Sequence, residues 1–169
     1  TVIGFGVTGA AHTTIAYCFH SVDGIQKVGS YTGNGGSNFI ETGFEPAFIM
    51  QKKTSSTGSW NIIDNQRGDD EYLSANLSNA EGSMTDGSFK ILSNGFQLNN
   101  SFSEWNANGG TYIYLAIAAD PDTTTPTVEN SFAPITYTGN GGTQSIDTGF
   151  KPDLVWVKNR NTAGNPHEL

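Results

Sequence analysis

Charge is what this chain has least of: only 14% of its 169 residues are Asp, Glu, Lys or Arg, against roughly 25% in an average soluble domain. The eight Lys and Arg are outnumbered by sixteen Asp and Glu, giving a formal charge of −8. Scattered cations on a net-negative chain form no basic stripe, which excludes nucleic acid as a partner and disfavours anionic membranes. Long apolar runs are also missing. None approaches the ~20 residues needed to span a bilayer, so no membrane insertion is expected. No basic-then-apolar leader opens the sequence, so no signal peptide is expected in this window. The ends at Thr1 and Leu169 read as cuts in a longer chain. A single cysteine, Cys18, leaves no intramolecular disulfide. It stands in the apolar run Ile15-Ala16-Tyr17-Cys18-Phe19, which predicts a core position.

The residues that are present suit a β-protein with a neutral polar surface. Hydrophobic residues make up 36% and aromatics 11%, ample for a core, while Asn, Ser, Thr and 21 Gly carry the polarity. Internal similarity then sets the organisation. Tyr31–Phe44 reads YTGNGGSNFIETGF and Tyr137–Phe150 reads YTGNGGTQSIDTGF, identical at ten of fourteen positions without a gap. The match runs on through Pro46/Pro152 and Lys52/Lys158, at an offset of 106 residues. Thr13–Phe19 (TTIAYCF) likewise resembles Thr111–Ile117 (TYIYLAI). Four segments follow: residues 1–29 as the tail of one repeat with a connector, 30–119 as a complete repeat, 120–135 as a Thr/Pro-rich linker, and 136–169 as the head of another repeat. A repeat of about a hundred residues exceeds the usual solenoid unit of roughly 20 to 50 and suits an independent domain.

Short β-rich runs are separated by turn residues. Strands are predicted at 48–52, 59–63, 88–92, 95–98 and 111–118, with 37–41 a further candidate. Gly33-Asn34-Gly35-Gly36 and Ser93-Asn94-Gly95 supply residues that tolerate positive φ at turns. Phe48-Ile49-Met50 is continuously apolar, as a strand covered on both faces would be. Leu73–Ala80 is the best helical candidate, weakened by its Ser and Asn. The pattern predicts an all-β fold, an antiparallel β-sandwich or jelly roll in tandem repeats. Its expected core is Phe44, Phe48, Met50, Ile62, Phe89, Phe96, Ile113 and Leu115. Tyr137–Lys158 is expected to superpose on Tyr31–Lys52.

The string YTGNG…TGF-x-P is followed by Trp60, Ile62, Asp64 and Arg67, then Leu73 and Asn76, SNGFQL (Ser93–Leu98) and GGTYIYLAIA (Gly109–Ala118). With AYCFHSVDG (Ala16–Gly24), it resembles tandem domains of large structural, tail-fibre-like proteins of marine bacteriophages, cyanophages among them. The resemblance implies a concanavalin-A-like, lectin-like jelly roll, a place on the virion surface, and a glycan partner.

Candidate chemistry is sparse. A glycosidase on such a fold needs paired carboxylates about 5 to 10 Å apart, and no Glu-x-Asp-x-x-Glu spacing occurs, so no enzyme is expected. Calcium is the one cofactor a loop here would take, since Asp64, Asn65, Asp69 and Asp70 offer hard oxygens at short spacing. The alternative is a polar loop in which Asp64 pairs with Arg67. Arg67-Gly68-Asp69 matches an integrin-binding tripeptide, a chance-length match. Asn76-Leu77-Ser78 and Asn99-Asn100-Ser101 are formal glycosylation sequons that matter only in a eukaryotic secretory route. His12, His20 and His167 are too scattered for a metal site. For sugar stacking the candidates are Trp60, Tyr72 and Trp105, with Asn106 beside the last. Trp105 is expected to be exposed in its polar loop, whereas Trp60 in a strand fits core equally well. The function that follows is a structural component of a virion fibre or surface appendage; the alternative is a carbohydrate-binding module for host attachment. The expected partners are copies of itself, as a trimer or another homo-oligomer, other virion proteins, and cell-surface glycans.

Overall fold

A computed structural model of the chain describes residues 18–119, 133–149 and 155–157. Nine strands order the first stretch: β1 (Gln26–Thr32), β2 (Ser37–Glu41), β3 (Pro46–Lys53), β4 (Trp60–Asp64), β5 (Glu71–Ser74), β6 (Gly82–Ser83), β7 (Phe89–Leu92), β8 (Gly95–Asn99) and β9 (Thr111–Ala118). All pairings are antiparallel, in a six-stranded sheet of order β1-β9-β3-β4-β5-β6 and a three-stranded sheet of order β2-β8-β7. The fold is therefore an all-β antiparallel sandwich, with no helix among the described residues; Leu73, at the start of the helical candidate, lies in β5 instead.

Period-two alternation sets which side chains meet between the layers. On the smaller sheet Ile40, Phe96 and Ile91 form one inward row and Asn38, Leu98 and Phe89 the next. On the larger sheet Ile49, Ile63, Tyr114 and Ala116 face them in the core. Rings then run across the interior: Tyr112 stacks on Tyr31 at 4.8 Å, Phe96 stacks on Phe89 at 5.5 Å, and Trp105 meets Tyr72 edge-on at 5.4 Å. Tyr31 meets Phe96 at 6.2 Å and Phe89 meets Trp105 at 6.1 Å, so six rings form one connected series. Edge-on and offset pairs of this kind are each worth about 0.5–1.5 kcal/mol beyond the area they bury.

Several expectations need correction. Of the expected core, Ile62, Phe89 and Phe96 are buried, Phe44, Phe48, Met50 and Leu115 are half-buried, and Ile113 is 38% exposed. The continuous apolar run of β3 suggested cover on both faces, but a two-layer sandwich has one interior. Ala47, Ile49 and Gln51 point into it, and Phe48 and Met50 point out. On β9 the inward residues are Tyr112, Tyr114, Ala116 and Ala118, which puts Ile113 and Leu115 on the outer face. Cys18 is exposed rather than in the core. Strand β1 also takes in Gln26–Gly29, a stretch the sequence reading placed in the connector.

The second copy of the motif does not reproduce the strands of the first. Residues 133–149 contain no strand, whereas Ser37–Glu41 is β2. Its turns do recur. Gly35 and Gly141 have φ of 69° and 76°, and Gly43 and Gly149 have 87° and 76°. The Asn34 Oδ1 accepts from the Gly36 N–H at 2.9 Å, and the Asn140 Oδ1 accepts from Gly142 at 2.9 Å. Local turn chemistry needs only its own residues, but β1 and β2 need β9 and β8 as partners. Residues 120–132, 150–154 and 158–169, and with them most of Lys151–Lys158, lie outside the described residues.

Truncating Phe96, which is fully buried between the sheets, to Ala is expected to cost about 3–5 kcal/mol. Ile113→Ala, on the outer face, is expected to cost well under half of that. Denaturant unfolding of both variants checks the inside–outside assignment, and equal losses would reverse it.

Candidate functional site

The antiparallel order gives the sandwich two ends. The loops 33–36, 54–59 and 100–110 gather at one, here called the tip; the loops 42–45 and 65–70 and the turn at 93–94 lie at the other, the base, and residues 75–88 run between the two, with Glu81 3.5 Å from Arg67 and the Met84 N–H on the Asp70 carbonyl. Asn106 organises the tip. It is fully buried, its Oδ1 accepts from the Asn34 N–H and from the Asn38 side-chain amide at 3.0 Å each. Its Nδ2 donates to the carbonyls of Gly36 (2.7 Å) and Asn100 (2.8 Å), with Asn34 Oδ1 at 3.2 Å. Backbone bonds join the same two loops, Gly35 N to Asn106 O at 2.8 Å and Gly33 N to Gly110 O at 2.7 Å. The approach is so close that a Cβ on Gly33 would collide with the Ala107 carbonyl. The repeated YTGNGG block therefore acts here as a clamp on the 100–110 loop.

That clamp turns Trp105 inward, to 4% exposure, contrary to the expected exposed position. Its ring packs among Phe89 and Tyr72, and its carbonyl accepts the Tyr31 hydroxyl at 2.8 Å. Burial pushes the phenols of Tyr31, Tyr112 and Tyr114 above their ordinary range; a neighbouring Tyr112 adds to the effect at Tyr31, and a bond from the Ala107 N–H opposes it at Tyr112.

Of the three sugar-stacking candidates, Tyr72 and Trp105 come together and Trp60 does not, and Asn106 is buried behind Trp105. Tyr72 and Trp105 line a shallow groove of about 320 Å³ at the tip with Met84, Phe102 and Glu104, none of which the sequence reading singled out. Phe102 is 41% exposed there. The Glu104 Oε1 accepts from the Ser59 N–H at 3.2 Å, and Glu104 is the single carboxylate lining the groove. Behind this segment Gln51 donates to the Glu104 carbonyl at 3.0 Å, while Gln51 Oε1 and Asn61 Nδ2 are buried without partners on facing strands. Trp60 lies instead on the outer face of the larger sheet, 5.8 Å from the Lys52 ammonium.

At the base, the proposed calcium ligands are engaged one by one. Asp64 binds the Arg67 guanidinium at 2.7 Å and accepts from the N–H groups of Gln66 and Arg67. Asp70 accepts from Gly87 and Phe89, and Asp69 from Ile91, so both tether the strand β7 region. Among the described residues no three His, Cys, Asp or Glu side chains are grouped to hold a metal. Arg67 of the Arg-Gly-Asp tripeptide is packed away, its side chain 2% exposed and also bonded to the Ile62 carbonyl at 3.2 Å.

These carboxylates and amides hold loops, and the family relationship is silent on chemistry to match. One family model matches the chain, over residues 1–121, and its description is a domain of unknown function, DUF7483. The chain belongs to the DUF7483 family. The matched stretch ends three residues past the last residue of β9, Ala118, and takes in both 1–29 and 30–119. No curated protein and no solved structure matches the chain.

Two predictions test this DUF7483 tip. Asn106→Ala strands buried partners on both loops, each costing about 1–3 kcal/mol when left unpaired. It should lower stability by several kcal/mol and strip hydrogen-exchange protection from 33–36 and 100–110 before the rest of the fold. Stability should also fall with rising pH. The three phenols are raised when folded, so their contribution is complete below the ordinary value of about 10 and is lost as pH climbs through the folded values. Unfolding midpoints followed from neutral pH upward should drop above about pH 10, and less steeply in Tyr31→Phe.

Proposed function

We propose that this DUF7483 domain is a non-enzymatic structural unit of a virion fibre or surface appendage, exposed outside the host cell and assembled with copies of itself and other virion proteins. The observation that carries the reading is the use made of its polar groups. Asp64, Asp69, Asp70 and Asn106, the side chains best suited to chemistry, hold backbone N–H groups, carbonyls and Arg67. A scaffold needs its polar groups so engaged, whereas a catalyst or a cation site needs them free. No catalytic residue, no cofactor and no bound calcium enter this reading. The resemblance of the YTGNG…TGF-x-P and SNGFQL strings to tail-fibre-like phage domains supplies the location, and repetition of the motif fits a protein that gains reach by adding units.

A second reading, glycan binding, is favoured by one specific feature. The tip groove sets an exposed Phe102 and the half-buried Tyr72 beside Glu104, a ring-and-carboxylate combination that suits a sugar's apolar face and hydroxyls.

A density map of the intact particle tests the first reading. Copies of this domain are expected on an external fibre or appendage, and absence from the particle, or an internal position, would overturn it. A glycan array tests the second: Phe102→Ala and Glu104→Gln should weaken binding at least about tenfold if the groove is the site, and Trp60→Ala should leave it unchanged.

A further inference from the structure

The outer face of the six-stranded sheet carries an apolar stripe. Cross-strand registers place Val28, Leu115 and Met50 in one row that ends at the buried Ile62, and Ile113, Lys52 and Trp60 in the next row toward the tip. Val28, Ile113 and Trp60 are 39%, 38% and 37% exposed. The outward face of an antiparallel sheet in water is ordinarily polar, as on β8, where Gln97 and Asn99 point out. Here the large side chains point both ways.

We infer that this face pairs with the same face of a second copy of the chain, sheet on sheet. Three features point to a copy rather than to an unrelated partner. First, the outward apolar positions recur in the partial copies of the sequence. Ile113, Leu115 and Ile117 correspond to Ile15, Tyr17 and Phe19, and Met50 corresponds to Trp156. The intervening inward positions drift to Thr14, Ala16 and Cys18 in place of Tyr112, Tyr114 and Ala116. A surface used between copies has to keep its character in every copy.

Second, the charges at the stripe's two ends are opposite. Lys52, whose ammonium donates to the Gly58 carbonyl at 2.6 Å, stands at the tip end, and Asp64 and Glu81, two carboxylates sharing the single Arg67 guanidinium, stand toward the base end. A two-fold pairing that sets tip against base brings the ammonium of each copy to the acidic end of the other, which an isologous contact requires. Third, the size fits a specific but modest contact. Four long strands about 4.8 Å apart, at about 3.3 Å per residue, give a face of roughly 20 by 20 Å. Two such faces, with the relief of their side chains, bury on the order of 1,000 Å², the lower bound for a specific pair. The inference deepens the self-assembly proposed above and rests on that reading only for its setting in a particle.

Sedimentation velocity of the 169-residue chain over a concentration series is the test, with Val28→Lys, Ile113→Lys and a control, Phe39→Lys. Phe39 is 45% exposed on the outer face of the smaller sheet. All three sites are exposed, so the variants should keep the parent's thermal midpoint. The parent should move toward dimer mass as concentration rises, the first two variants should bind at least tenfold more weakly, and the control should follow the parent. A parent that stays monomeric throughout overturns the pairing, as does association that Val28→Lys and Ile113→Lys leave intact. Loss of the dimer in those variants, with the protein absent from particles, would sustain this inference while defeating the virion reading.

Discussion

One buried amide carries the tip of this domain. Asn106 has no access to water, and its donors and acceptors are met by four residues on two loops and a strand. A primary amide left unpaired inside a core costs more than a typical hydrogen bond returns, so the loops are held in the one arrangement that satisfies it. The consequences run outward. The 100–110 loop is fixed against the YTGNGG turn, Trp105 is aimed into the core instead of at solvent, and the ring series that joins the two sheets is completed at its far end. Remove the amide, and the groove beside Phe102 and Glu104 loses its floor as well.

The same economy governs the base. Asp64, Asp69 and Asp70 follow one another within seven positions, and in a flexible loop they would repel or gather a cation. In the fold each faces a different neighbour: Asp64 a guanidinium, Asp69 the strand N–H of Ile91, and Asp70 the turn N–H of Gly87 together with the N–H of Phe89 at the start of β7. Separation by the backbone turns three like charges into three independent anchors. That division of labour also explains why so few charges suffice. The chain has sixteen acidic residues, and those described in this loop are tied to backbone geometry.

Much of this was legible in the sequence, and the failures share a cause. Six strands could be read from alternation and turn residues. The sequence did not reveal β1, because QKVGSYT carries a glycine and reads as a connector. Gly29 faces inward opposite Tyr114, whose ring occupies the place a Cβ would need, so the residue that looked like a break is what lets the strand pair. The two-faced apolar run of β3 concealed which side was inside, since periodicity cannot choose between faces that are both apolar. Trp105 was misplaced because a polar loop says nothing of a buried amide that turns it inward. The groove partners Phe102 and Glu104 were equally hidden: the sole signal was two aromatics three apart, Phe102 and Trp105, within a loop rich in Ser and Asn.

The duplicated motif separates what short sequences determine from what they only permit. Tyr31–Phe44 and Tyr137–Phe150 are nearly the same string, and their turns agree down to the Asn side chains that close them. A further bond recurs too, from Asn38 to the Thr32 carbonyl at 3.0 Å and from Gln144 to the Thr138 carbonyl at 3.1 Å. Yet only the first copy is extended into strands. Turns close over a few residues and lose little entropy in doing so, while β1 must find β9 across most of the domain before any ladder bond forms. The β1–β9 pairing thus spans the whole domain, whereas the motif's turns close within their own residues in both copies.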